Sequence, residues 1–245
     1  MHDNYPIRHL NQNGGESWLG LIDGVYSIAM TLIAIELPEL IKSLFEISNS
    51  ADDQSTILAI TGYESIAYAA TFLLLYELWS YHKSILKLAG IRRQTQNLIN
   101  SIILAITCLG AGNIILILNT KTEIALKDLQ ANASQEQLFN DWVGTHHELA
   151  IATFVMVAAM FFLMALLARI SSRNQDLKQE QATALRGLGR GTCQRGFWFL
   201  AFILTWTPLL FGQNLPLIPP AILVLIYILA DQIFHPLLQS RSKQA

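Results

Sequence analysis

Long apolar stretches separated by polar segments dominate the pattern of this chain. Six of them approach or reach the roughly 20 mostly apolar residues that a transmembrane helix needs. They lie near 18–37, 60–82, 97–118, 148–170, 197–213 and 216–236. No strand-like alternation is visible, and only helices or closed barrels satisfy their backbone groups in a bilayer. The pattern therefore predicts an all-α membrane protein with six transmembrane helices in a single domain, residues 1–245.

Composition supports a place in the lipid bilayer. Of the 245 residues, 52% are hydrophobic and 14% are charged, whereas soluble domains carry about 25% charged residues. Arg8 is the one basic residue before the first apolar run, and no small-residue cleavage site follows that run. We therefore expect the first helix to remain in the mature protein.

The basic residues predict the orientation of the spans. Of the 16 Lys and Arg, 13 fall on one side of the predicted spans, and only Lys42, Lys121 and Lys127 fall on the other. Because basic residues concentrate on the cytoplasmic side, both termini are predicted to be cytoplasmic.

The segments between the spans differ in character. The outer segments 38–59 and 119–147 are either short amphipathic helices or solvated connectors. The inner segment 171–196 is polar and rich in Arg and Gly, which is typical of a cytoplasmic linker. Residues 212–220, with several Pro and one Gly, predict a tight hairpin.

Candidate chemistry is limited. The chain has no HExxH, GxSxG or P-loop motif, and no filter loop of the TVGYG kind. Cys108 and Cys193 have no zinc-site spacing. The net charge is −2, with no basic tail. We therefore expect no enzyme activity, no cofactor or metal, and no nucleic-acid partner.

Residues 21–37, LIDGVYSIAMTLIAIEL, carry Asp23, Ser27 and Thr31 at i, i+4, i+8 spacing inside an apolar run. An aspartate within a span normally faces a bundle interior or a water-filled path. The alternative is that Asp23 lies in the first helical turn, where the helix dipole stabilises a carboxylate.

The same helix carries an apolar stripe of Ile28, Leu32 and Ile35. If the helix faces a symmetry axis, these residues form rings that narrow a path and can gate it by dewetting. Alternatively, the stripe faces lipid or neighbouring helices.

Polar residues of the next two spans are predicted at the depth of Asp23. Glu77, Trp79 and His82 lie near the cytoplasmic end of the second span, and Asn100 lies near the start of the third. Polar side chains at one depth can join helices through hydrogen bonds. We therefore expect Asp23, His82 and Asn100 to meet.

The segment LIDGVYSIAMTLI resembles the FSDG-V-F-x-I-A-x-T-L first-helix signature of the transmembrane protein 175 family, potassium channels of endolysosomal membranes with bacterial relatives. Trp79 and His82 resemble that family's W-x-x-H, and Asn100 falls at the spacing of its third-helix asparagine. The sharp motifs lie in the first three spans.

The resemblance implies a bacterial inner-membrane protein that is a homotetramer, with the first helices lining a central pore for monovalent cations. It places a hydrophobic constriction, with no carbonyl filter, at the residues Ile28, Thr31, Leu32 and Ile35. It places a network that holds the pore helix at Asp23, Trp79, His82 and Asn100. It also implies that potassium passes in preference to sodium.

The chain departs from the family motif R-x-x-x-F-S-D at three positions. Ser17 stands at the arginine position, and Leu21 and Ile22 replace the F-S pair. Without that arginine, Asp23 is expected to lack a partner that favours its charged form.

Two alternatives to a channel remain from the residues. The first is a secondary transporter or proton pathway that uses Asp23, Glu77, His82, Asp231 and His235 as relays, whereas a simpler interpretation is that Asp231 and His235, at i, i+4, pair with each other. The second is a scaffold that transports nothing, in which polar residues only join helices.

Overall fold

The computed structural model of the chain describes residues 16–48, 54–91, 93–130, 135–205 and 221–231. Within these ranges the chain forms helices joined by turns, and no strand is present. The helices are α1 (Glu16–Ser48), α2 (Gln54–Ala89), α3 (Gln94–Gln130), α4 (Gln135–Ser171), α5 (Gln179–Thr205) and α6 (Ala221–Asp231). The predicted all-helical architecture is confirmed for these residues.

Within the described ranges, three stretches are long and apolar enough to cross a membrane. They are Trp18–Glu36, Gln94–Ile114 and Ile151–Ser171, and they match the first, third and fourth predicted spans. α6 is apolar but shorter. The count of six spans and the cytoplasmic termini stay predictions. The predicted hairpin at 212–220 lies outside the described residues, as do the termini.

The outer segments continue the span helices instead of forming separate elements. α1 passes its predicted end and runs through Pro38 to Ser48. α3 extends to Gln130, and α4 already begins at Gln135. These extensions are rich in Leu, Ala, Lys, Glu and Gln, which are strong helix formers. The described parts of 38–59 and 119–147 are therefore neither short separate helices nor irregular connectors.

α1 is held against its own subunit by one face. It packs on α2 and α3, whereas α4 packs on α3 and α5, and α2 also contacts α4 and α5. The buried residues of α1 recur at helical spacing, namely Trp18, Ile22, Tyr26, Ala29 and Ile33. The packing therefore fixes which way the opposite face of α1 points.

A four-residue connection joins α2 to α3. Gly90 adopts a φ of 63°, a left-handed conformation that glycine takes without strain. Its N–H donates to the Leu86 carbonyl at 2.8 Å, which closes the end of α2. At the start of α3, the side-chain oxygen of Gln96 accepts the Arg93 N–H at 2.9 Å. Gln96 also donates to the Ser171 hydroxyl at 2.7 Å, which ties this turn to the end of α4.

The expectation that 171–196 is a linker is wrong from Gln179 onward, where α5 begins. The Gln181 side chain accepts the Lys178 N–H at 3.2 Å, which caps the helix start.

Glycines of α5 lie where that helix packs closely on α4. A Cβ on Gly189 would lie 3.4 Å from the Ala165 carbonyl oxygen, and one on Gly196 would lie 2.9 Å from the Phe162 ring. Small residues therefore let α5 approach α4 closely.

Candidate functional site

The carboxylate of Asp23 on α1 is held by two side chains of α2. Trp79 Nε1 donates to Asp23 Oδ1 at 2.7 Å. Lys83 Nζ donates to Oδ1 at 2.9 Å and to Oδ2 at 2.8 Å. Lys83 and Trp79 are one turn apart, and the ammonium lies 4.7 Å from the centre of the indole ring. Asp23 thus has a hydrogen-bond donor and a cation beside it.

The expectation that Asp23 lacks a cationic partner is therefore wrong. With Ser17 at the arginine position of the motif, Lys83 of α2 supplies the positive charge to Asp23. Sequence reasoning used Lys83 only as one of many charges that set the orientation. The available signal was its i, i+4 spacing from Trp79, which places both side chains on one face of α2.

His82 and Asn100 form a second, fully buried pair, between α2 and α3. His82 Nε2 lies 2.8 Å from Asn100 Oδ1. An amide oxygen only accepts, so Nε2 carries the proton and donates. The two residues lie at nearly equal distances on either side of the turn at Gly90, which brings them to the same level. Tyr26 of α1 meets the His82 ring edge-on, with 6.0 Å between ring centres.

The four residues predicted as an anchoring network thus lie in two bonded groups and not in one. Asp23 bonds to Trp79 and Lys83, whereas His82 bonds to Asn100. The groups adjoin because Trp79 and His82 are one turn apart on α2. That these contacts hold a pore helix stays a prediction.

The apolar residues predicted for the constriction lie on the face of α1 that points away from its own subunit. Ile28 is 62% exposed, Leu32 47% and Ile35 55%. Thr31 is exposed beside them, and its hydroxyl donates to the Ser27 carbonyl at 2.7 Å. Such a face can line a water-filled path, pack against another subunit or contact lipid.

A second charged group, the Arg195 cluster, joins α2, α5 and α6. Arg195 of α5 donates through Nε to Glu77 of α2 at 2.7 Å and through Nη2 to Asp231 at the end of α6. Tyr227 donates its hydroxyl to Glu77 at 3.3 Å, and the guanidinium lies 4.5 Å from the centre of the Tyr81 ring. Sequence reasoning missed Arg195 because it assigned that residue to a linker.

The structure gives Asp231 a partner other than the predicted one. Its carboxylate binds Arg195, and His235 lies outside the described residues. Glu77 and Asp231, both candidates for a proton pathway, therefore share one arginine. Among the described residues, no group of three or more His, Cys, Asp and Glu is placed to hold a metal ion.

The similarity of this chain to a known protein family lies in α1, α2 and α3. The family model described as endosomal/lysosomal potassium channel TMEM175 matches residues 19–110. This range holds every residue predicted for the constriction and the anchoring network, but it is less than half of the chain and excludes α4, α5 and α6. No curated protein and no solved structure matches the chain.

The matched family is one of potassium channels, which is not an enzyme class. The apolar helices agree with an integral membrane protein. The resemblance predicted from the first three spans is therefore confirmed, and the match supports membership of this chain in the TMEM175 potassium channel family.

Proposed function

We propose that four copies of the chain form a potassium channel in which α1 of each subunit lines a central pore. A hydrophobic constriction formed by Ile28, Leu32 and Ile35, with Thr31 beside them, takes the place of a carbonyl filter. Potassium is the permeant ion, and no cofactor takes part. The family match supports potassium channel activity and includes α1. The channel family also favours an oligomer in lipid.

The observation that carries this proposal is the exposed apolar stripe on an otherwise anchored helix. The buried face of α1 is occupied by α2 and α3, so its outward face is free for a symmetry axis. Ser27 and Thr31 are exposed beside the aliphatic side chains. A face that carries hydroxyls beside aliphatic residues is compatible with a narrow, partly hydrated path.

In a fourfold assembly the same side chain recurs at the same height around the axis. Four Ile28 side chains would form one apolar ring, and Leu32 and Ile35 would form the next two. Such rings limit flow because water and ions leave a narrow apolar gap. No carbonyl cage replaces the hydration shell, so we expect potassium to be only modestly preferred over sodium.

A groove between α1 and α2 gives room for a neighbouring subunit. Its volume is about 470 Å³, and its walls include Met30 and Ala34 of α1 and Phe72 and Tyr76 of α2. The groove is largely apolar and lies beside the exposed stripe. An α1 helix of a neighbouring subunit would cover the groove and leave the stripe facing the axis.

The test is flux through the purified full chain in liposomes under a potassium gradient. We expect passive potassium flux from the unchanged protein. Ile28→Asn should wet the constriction, raise the flux several-fold and lower the ratio of potassium to sodium flux. Ile102→Asn is the matched control, since Ile102 is also exposed but lies on α3.

Three results would contradict the proposal. Equal flux and selectivity in the Ile28→Asn and Ile102→Asn variants would remove Ile28 from the pore. No flux from the unchanged protein would favour the scaffold. Flux that requires a pH gradient and stops with Asp23→Asn would favour the secondary transporter.

A further inference from the structure

A cavity of about 790 Å³ lies between the end of α4 and the first half of α5, apart from α1 and its contacts. Four arginines line it. Arg169 is in the last turn of α4, Arg173 follows the end of that helix, and Arg186 and Arg190 are one turn apart on α5. We call this cavity the arginine pocket.

The charge of the arginine pocket is not neutralised by the described part of the chain. None of its lining residues is acidic, and no ion pair joins any of the four arginines to a described carboxylate. Arg186 Nε donates to the Ala182 carbonyl at 3.3 Å, which uses one of its five N–H donors. All four arginines are exposed, and four like charges around one cavity create a positive potential that attracts an anion.

The arginine pocket also has an apolar wall that continues into the membrane span. Arg169 lies in the last turn of the apolar stretch Ile151–Ser171. Leu166 and Phe162 line the same cavity from the same helix. At 1.5 Å per residue along α4, Leu166 lies about 4.5 Å and Phe162 about 10 Å further into the apolar stretch than Arg169. The cavity therefore has a cationic end where the span ends and an apolar end within it.

We infer that the arginine pocket binds an anionic phospholipid, with the headgroup phosphate between the arginines and the upper acyl chain along Leu166 and Phe162. Guanidinium groups form paired hydrogen bonds with phosphate oxygens. Basic pockets between transmembrane helices on the inner side are suited to such headgroups. Free phosphate shares the headgroup chemistry, but it would leave the apolar wall uncovered.

The test measures lipid retention by the purified full chain in neutral detergent. The protein is incubated with phosphatidylglycerol or with phosphatidylcholine, passed over a sizing column, and the retained lipid is quantified by mass spectrometry. The variant Arg186→Gln/Arg190→Gln removes two lining charges. The control Arg93→Gln/Lys178→Gln removes two exposed charges that do not line the pocket.

We expect the pocket variant to bind phosphatidylglycerol about tenfold more weakly, because each basic residue near a membrane surface contributes about one kcal/mol to anionic lipid binding, partly offset by the remaining arginines. The control should retain phosphatidylglycerol like the unchanged protein, and neither protein should retain phosphatidylcholine. Millimolar inorganic phosphate should not displace the bound lipid.

Three outcomes would overturn the inference. Equal losses in the pocket variant and the control would mean that general surface charge, not the pocket, attracts the lipid. Equal retention of both lipids would remove the role of the phosphate charge. Displacement by inorganic phosphate would assign the pocket to a soluble anion.

A second variant keeps the test valid if the glutamine substitutions impair folding. Arg186→Lys/Arg190→Lys preserves the charges but not the paired hydrogen bonds, so retention should fall several-fold relative to the control. Unchanged retention would contradict binding by the guanidinium groups. Lipid retention is measured without ion flux, so it tests the lipid-binding inference independently of the proposed channel.

Discussion

Two charged sites lie on opposite sides of α2 and hold different parts of the molecule. Trp79 and Lys83 face α1, whereas Glu77 and Tyr81 face α5 and α6. At 100° per residue, these two pairs point about 160° apart on the helix. α2 thus contacts the candidate pore helix α1 on one side and α5 and α6 on the other.

The two sites differ in exposure and in the number of partners. The Lys83 and Asp23 side chains are 32% and 42% exposed, whereas Arg195 and Glu77 are each 11% exposed. Half-exposed ion pairs contribute little to stability, while a buried pair is costly to break because one charge is left without compensation. The contact to α1 is therefore the weaker one.

The largest expected effect is from Arg195→Gln. It leaves the Glu77 and Asp231 carboxylates without their cation, so the free energy of unfolding should fall by about 3–5 kcal/mol. Denaturant titration in detergent measures it. The exposed Arg93→Gln is the control and should change little. A loss no larger than that of the control would show that the Arg195 cluster is not a strong link between helices.

An intermediate effect is expected from Asn100→Ala. This change removes the acceptor of the buried His82 Nε2–H, which costs about 1–3 kcal/mol of unfolding free energy. Asn97→Ala is a matched control on the same helix, since Asn97 Oδ1 has no hydrogen-bond partner. The same denaturant titration compares the two variants. Equal losses would mean that packing, and not the histidine pair, sets the cost.

The smallest effect on stability is expected at Asp23 and Lys83. A double-mutant cycle of Asp23→Asn and Lys83→Gln should give a coupling energy of about 0.5 kcal/mol, as for other half-exposed pairs. Potassium flux in liposomes should nevertheless change in both single variants, because each weakens the contact between α1 and α2.

The same double-mutant cycle also tests whether the ion pair affects potassium flux. If the ion pair acts as a unit, the flux of the double variant should resemble that of either single variant. Lys87→Gln, one turn further along α2 and exposed, should leave flux unchanged. Additive changes in flux would show that Asp23 and Lys83 act on the channel separately.

Part of the site could be predicted because depth in a membrane can be read from the sequence. The pair His82–Asn100 connects residues near the inner ends of predicted spans, where similar depth suggests contact, whereas Asp23–Trp79 was implied only by the family resemblance. Depth does not give direction around a helix. The positive-inside rule uses the charge of Lys83 but not the direction of its side chain. The contact of Lys83 with Asp23 was therefore missed.

The Arg195 cluster and the arginine pocket depend on packing between distant parts of the chain. Arg195 and Glu77 are 118 residues apart, and their contact requires that Arg195 lie on a helix that packs against α2. A polar, glycine-rich segment predicts a linker when composition alone is considered. Its glycines lie inside a helix because the space at Gly189 and Gly196 is filled by α4, which only the folded chain shows.

The His82–Asn100 pair has a consequence for how this part of the chain can vary. A residue inserted into α3 between Gln94 and Asn100 would rotate Asn100 by about 100° about the helix axis and shift it by about 1.5 Å. Asn100 would then leave His82, and the donor Nε2–H would be buried without an acceptor. A residue added in the non-helical connection can be taken up by the turn, so the pair fixes the length of the first turns of α3 and not the length of the connection.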